Sequence, residues 1–179
     1  AGYAMVTAGN LTADGAISIT SSGKSTADAK IANLSFGFVS VGLMVGFAYA
    51  AGDFEAILSA TGSVTAGSVS VTTEYNAAAS AIIEPAAGGV KASVYGFDGN
   101  IGTAITLTNA LAAIIGGGTV TATGAVSVNV TGRATANAEI AGVEVSVGAV
   151  SIAINVVTAK VTATQYAKVE SVSITSATL

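Results

Sequence analysis

The chain has no cysteine, no histidine and no tryptophan among its 179 residues, and a single proline. Without thiolate or imidazole there is no disulfide framework, no zinc site of the usual kinds and no imidazole base, which removes most enzyme classes. Charge is also scarce: Asp, Glu, Lys and Arg make up 9% of the residues, against about 25% in an ordinary soluble domain. Ten acidic and six basic residues stand singly and leave a net charge of −4. They supply neither a basic patch for nucleic acid nor a polybasic membrane anchor. A chain free of cysteine suits a secreted protein that must avoid stray disulfides, so an extracellular or cell-surface location is expected. The first residue is Ala, with no basic segment and apolar run behind it, which reads as a processed chain or an excised segment.

What is abundant is small or β-branched: Ala, Val, Gly, Ser and Thr dominate, and 51% of residues are apolar while only 6% are aromatic. Such side chains cannot fill a wide globular core, but they fill the narrow interior of stacked β-structure. The run from Val120 to Lys160 alternates with period two, placing Val126, Val128 and Val130 on one face of a strand and Ser127 and Asn129 on the other. No charge occurs for 22 residues between Ile31 and Gly52, long enough for a bilayer crossing at about 20 residues. Ser35, Gly37, Ser40, Gly42 and Gly46 interrupt that run, and Leu34, Phe36 and Phe38 alternate as in a strand, so no membrane span is expected.

The chain repeats itself. Ala16–Thr20 recurs as Ser68–Thr72, Ala125–Asn129 and Ser171–Thr175, the first three preceded by turn-like approaches ending in Gly15, Gly67 and Gly124. A second element ends on Ile31, Ile83 and Ile140, each 14 residues after Ile17, Val69 or Val126. The repeat is about 46 to 57 residues, with the variation in its second half. Units of this size cannot bury an apolar face alone and need stacked neighbours. The expected fold is all-β: a single domain over residues 1–179, a parallel β-solenoid with repeats near 10–61, 62–118 and 119–170 and a partial one at 171–179. An antiparallel β-sandwich, as in a pilin-like subunit, is the alternative the same strands would serve. One segment, Thr108–Ile115, reads as helix, with Leu111, Ile114 and Ile115 on one side and Gly116–Gly118 as its stop.

The order V-T-A-G-x-V-S-V-T, then T-A-x-A-x-I, then V-S-V-G-A-V-S-I-A-I-N-V resembles the β-strand repeats of giant bacterial surface proteins, the haemagglutinin-like and adhesin-like chains. The resemblance covers most of residues 62–175 and, more loosely, 10–61. It implies a secreted, elongated β-helical stalk or filament.

Candidate sites are few. Asp53 and Glu55 would share one strand face, as would Asp28 and Lys30, and paired carboxylates are what a glycosidase needs; solvated charges on a sheet explain them equally. Asp14-Gly15 and Asp98-Gly99-Asn100 are the only loops to consider for calcium, and turn chemistry accounts for both. Gly116–Gly118 has no following Lys-Ser/Thr to make a phosphate loop. Thr-x-Thr occurs at Thr106/Thr108, Thr119/Thr121/Thr123 and Thr162/Thr164, the pattern by which ice-binding solenoids order water, but at irregular spacing. Asn10, Asn33 and Asn129 open glycosylation sequons. Aromatic residues between Phe36 and Phe54 would, if exposed, mark a lateral or end-to-end contact.

No catalytic, metal or cofactor-binding residue is assigned, and no cofactor is expected. The expectation is a non-enzymatic structural segment of an extracellular filament or adhesin stalk, whose partner is itself. Copies would join head to tail, as tandem units or by strand exchange, since reading Ser171–Leu179 into Ala1 continues the strand rhythm. A carbohydrate- or surface-binding adhesin module is the alternative, with ice binding or a β-helical polysaccharide-degrading enzyme behind it.

Overall fold

The computed structural model describes residues 1–33, 39–85, 90–92, 95–141, 145–147 and 150–178, and every regular element among them is a β-strand. In chain order these are β1 (Gly2–Ala8), β2 (Leu11–Thr12), β3 (Ala16–Asn33), β4 (Val39–Ala60), β5 (Ser63–Ala66), β6 (Ser68–Pro85), β7 (Val90–Ala92), β8 (Tyr95–Ile115), β9 (Thr119–Ala122), β10 (Val126–Ile140), β11 (Val145–Val147), β12 (Val150–Glu170) and β13 (Ser173–Thr175). Four sheets form, ordered β1-β4-β8-β12, β10-β6-β3, β13-β9-β5-β2 and β11-β7. Every ladder between them is parallel. The chain therefore winds as a parallel β-solenoid, and the antiparallel sandwich is set aside.

One turn of the coil passes through a short face (β2, β5, β9, β13), then a long polar face (β3, β6, β10), then a long apolar face (β4, β8, β12). Partners one turn apart differ by 52 residues where Gly2 meets Phe54 and by 57 where Val69 meets Val126. The residues aligned in the sequence stand opposite one another: Ile17, Val69 and Val126 form one column, and Ile31, Ile83 and Ile140 another. Identical small side chains can stack at about 4.8 Å between strands because each inward column keeps one volume.

The interior changes width along the strands. Where Ala27, Ala79 and Ala136 of the polar face meet Ala48 and Ala104 of the apolar face, methyl packs on methyl and the sheets lie close. At the other end the core widens around Leu58, Ile114, Val64, Val69, Val71 and Val120, each at most 1% exposed. Burying a side chain of that size contributes about 1.5–3 kcal/mol. Between the two regions Phe54 and Tyr75 stack, with ring centroids 5.6 Å apart and planes 12° from parallel. Glycine makes room for them: Gly23 and Gly132 stand directly above and below Tyr75 in the ladder, and a Cβ on either would run into one of the two rings.

Two expectations are corrected. Thr108–Ile115 is not helical but the end of β8, because β4 and β12 supply ladder partners on both sides and Ala110, Ala112 and Ile114 point into the core. Tertiary pairing overrides its helix propensity. Second, the fourth copy of the strand motif belongs elsewhere. Ser173, Ile174 and Thr175 pair with Thr119, Val120 and Thr121, so they continue the short face rather than the polar face, and the missing glycine is explained. The approaches through Leu11, Val64 and Val120 are likewise strands of that face. At the two ends, Thr178 bridges Ala125 at the start of the polar face and Gly2 pairs with Phe54 far along the apolar face.

Gly116–Gly118 does end the element before it, although that element is a strand and not the expected helix. Gly116 has φ of 129°, a left-handed conformation open to glycine, and its Cα packs against the Ala60 backbone. The alternation of β10 also holds, but Val128 and Val130 are only half-buried. They lie on the last polar-face strand, which no further strand covers among the described residues.

Candidate functional site

The side chains singled out in the sequence do not converge. Asp53 projects outward from β4 and accepts a hydrogen bond from Asn109 Nδ2 at 2.9 Å, with Glu55 beside it on the same face. Lys30 pairs with Glu84 one turn away at 2.8 Å, a cross-strand tie on the polar face, while Asp28 is exposed next to it. Asp14-Gly15 forms the corner between β2 and β3, where Gly15 O accepts from Gly67 N. Asn100 turns inward and donates to Asn155 Oδ1 at 2.8 Å; the side chain of Asp98 lies outside the described residues. No group of three or more acidic ligands that could hold a metal occurs among the described residues. Asn10 accepts from Ser63 N, Asn129 is exposed, and the side chain of Asn33 lies outside the described residues.

A groove of about 580 Å³ crosses the polar face beside Glu74, Asn76 and Arg133, above the Gly23–Tyr75–Gly132 column. Tyr75 is only 5% exposed and its hydroxyl accepts from Gln165 Nε2 at 2.6 Å, so its ring is no platform for a sugar. Glu170, outward on β12, is the residue whose acidity is clearly altered: a hydrogen bond from Lys168 at 2.8 Å, and then its charge, hold the carboxyl below the usual range.

Three surfaces carry more. On the polar face Lys24, Asp28, Lys30, Glu74, Glu84, Arg133 and Glu139 all point outward, so that sheet is solvated in the ordinary way. The opposite long face is not. Its outward columns Val41–Phe97–Ile152, Leu43–Gly99–Ile154 and Val45–Ile101–Val156 run across three strands in register. Beyond them Phe47 and Tyr49 stack with centroids 6.4 Å apart. These side chains are exposed, Val41 at 75% and Leu43 at 69%. The expected aromatic surface is thus present at Phe47 and Tyr49, although Phe54 is buried and Phe36 and Phe38 lie outside the described residues.

The second surface is the pair of ends. At the C-terminal end β10 and β12 have no further neighbour among the described residues, and the inward side chains Val157, Val161 and Val169 are about half exposed. A cleft of about 340 Å³ opens there between Val126–Asn129 and Ala167–Val169. At the N-terminal end β3 and the first half of β4 are likewise unpaired, since β1 covers β4 only from Phe54 to Ala60. The third surface is a hydroxyl ladder on the short face. Thr12, Thr65, Thr121 and Thr175 stack across four turns, flanked by Ser63, Thr119 and Ser173. All seven are exposed, whereas Thr106 and Thr108 are buried inward. The sequence hid this regularity because the ladder's members belong to different turns.

Comparison with family models, with curated proteins and with solved structures returned no match. No helix among the described residues is long and apolar enough to cross a membrane.

Proposed function

We propose that the chain is a structural segment of an extracellular filament or adhesin stalk that extends end to end by continuing the solenoid. The supporting observation is the unpaired strand edge at each end, 15 to 21 residues long in each strand, with the inward side chains Val157, Val161 and Val169 uncovered at the C-terminal end. Exposed edges of this length recruit further strands. Two short strands stand in the way, β1 on the N-terminal end and β13 on the C-terminal end, contributing 7 and 3 residue pairs. If both swing aside, β10 meets the next copy's β3 and β12 meets its β4. The equivalent internal ladders hold 15 and 21 pairs. The exchange favours direct stacking of complete turns.

Electron microscopy of concentrated protein tests this reading. Unbranched fibres are expected from the native chain and from Thr162→Lys, which points outward. Val157→Lys with Val161→Lys places charges on the inward side of the open end turn, tolerable in a monomer but not in a stack. That variant is expected to stay folded and form no fibres; fibres unaffected by it, or none from the native chain, would refute the proposal.

A second reading is favoured by the hydroxyl ladder: a surface that orders water and binds ice. Inhibition of ice recrystallisation that is lost in Thr65→Lys with Thr121→Lys would support it, and no inhibition by the native chain would dismiss it.

A further inference from the structure

The charge-free half of the apolar face has no place in end-to-end stacking, because its side chains point away from the coil. Twelve large apolar side chains of β4, β8 and β12 there are roughly half exposed on average. Among the described side chains, the first charge along the face is Lys160, in the column of Tyr49 and Ile105. An aromatic side chain carries about 150–250 Å² and an aliphatic one somewhat less, so the patch offers on the order of 1,000 Å². Single exposed apolar residues are ordinary, but the largest patch on a monomer is typically about 300–600 Å².

We propose that this face docks on the same face of a second copy, pairing two solenoids side by side. Area is the first argument: two such patches face to face would bury about 2,000 Å² in total, within the range of stable dimers at about 1,200–2,000 Å² and above. Charge is the second. An isologous contact brings uncharged columns against uncharged columns and strands no ion in the interface. A membrane surface is disfavoured on the same ground, since interfacial binding of this kind draws on basic side chains around the apolar area. Here the charges beyond the patch, Lys160 and Lys168 against Asp53, Glu55 and Glu170, are acidic on balance, as is the whole chain at −4. Geometry is the third: sheets pack face to face at about 10 Å through alternate side chains. The three columns supply ridges in register, with Gly99 leaving a lower point that Leu43 leans over. Because the columns continue from turn to turn, the contact would lengthen as turns are added, pairing filaments along their whole length.

The proposal does not rest on end-to-end growth and is tested separately from it. Phe97→Glu with Ile101→Glu changes the middle turn alone and leaves both ends intact; Phe97→Thr with Ile101→Thr is the milder version that keeps strand propensity. Light scattering on size-exclusion chromatography at tens of micromolar should give the end-blocked Val157→Lys/Val161→Lys variant twice the 17.1 kDa chain mass. Both face variants, made in that end-blocked chain, should give the single mass with an unchanged far-ultraviolet spectrum, and fibres formed by the face variants with native ends should be single rather than paired. A single mass for the end-blocked chain, or a double mass that survives both face variants, overturns the proposal. So does a monomeric chain that floats with neutral phosphatidylcholine vesicles and loses this on Phe97→Thr/Ile101→Thr, which would assign the face to lipid.

Discussion

Thr106 and Thr108 lie two residues apart on β8, both with no exposure and both pointing into the core, so replacing either by valine changes a hydroxyl for a methyl in nearly the same volume. The outcome should nevertheless differ in sign. Thr106 Oγ1 donates to the carbonyl of Thr135 across the interior at 2.6 Å, whereas Thr108 Oγ1 is buried with no partner. Thr106→Val loses a bond with a net contribution of about 0.5–1.5 kcal/mol and orphans an acceptor. Burial of the new methyl, about 0.8 kcal/mol, offsets part of that, which leaves a loss of about 1 kcal/mol. Thr108→Val removes a desolvation penalty of about 1–3 kcal/mol and gains about 0.8 kcal/mol for the methyl, so it should stabilise by about 2–4 kcal/mol. The two variants should then sit about 3–5 kcal/mol apart, a factor of roughly 150 to 5,000 in the unfolding constant. Guanidinium denaturation followed by far-ultraviolet circular dichroism measures the difference. Because β8 is a central strand, paired on both sides, edge relaxation cannot mask it. Shifts of the same sign and size in both variants would refute the assignment of partners inside the coil.

The alternation itself is tested on β6: Val71→Asp, at 0% exposure, should prevent folding, while Thr72→Asp on the outer face should change the midpoint little, and equal damage would sink the face assignment. At the aromatic corner Gly132→Ala should cost about 1–3 kcal/mol through overlap with Tyr75. Gly46→Ala, whose new methyl would find its nearest neighbours at 3.6 Å, should be neutral or stabilising in the same denaturation series. Glu170 has its acidity increased first by the Lys168 hydrogen bond and then by that residue's charge. With the folded value lowered, its small contribution to stability is present at neutral pH and fades as the pH falls through the lowered value. Carbon-detected titration should place Glu170 below the usual carboxylate range, and Lys168→Met should bring it back.

The turn-to-turn register was legible because columns such as Ile31–Ile83–Ile140 must keep one volume to stack, and equal volume appears in sequence as copied residue types. The short face was harder. The strand holding Val64-Thr65-Ala66 is only four residues long and one residue from the next, and such a segment between glycines looks the same as a turn. Ser171–Thr175 misled for a related reason, since alternating Ser, Val and Ile fits any face and only pairing with Thr119–Thr121 decides which. The apolar outer face left a weaker mark. In Val41–Tyr49 the outward positions Val, Leu, Val, Phe and Tyr alternate with inward Gly, Met, Gly and Ala, so apolar character on both parities hides the direction of each. The helix expected at Thr108–Ile115 failed because local propensity carries no information about ladder partners some 55 residues away.

Fibre diffraction from aligned native protein tests the central claim most directly. Parallel turns stacked along a fibre should give a meridional reflection at about 4.8 Å, and copies adding three complete turns each should give a subunit repeat of about 14 Å. A repeat of about 19 Å would mean that β1 and β13 stay in place and together occupy a fourth turn, contradicting their displacement. Absence of the 4.8 Å meridional reflection from ordered fibres would contradict the stacked solenoid as the unit of assembly.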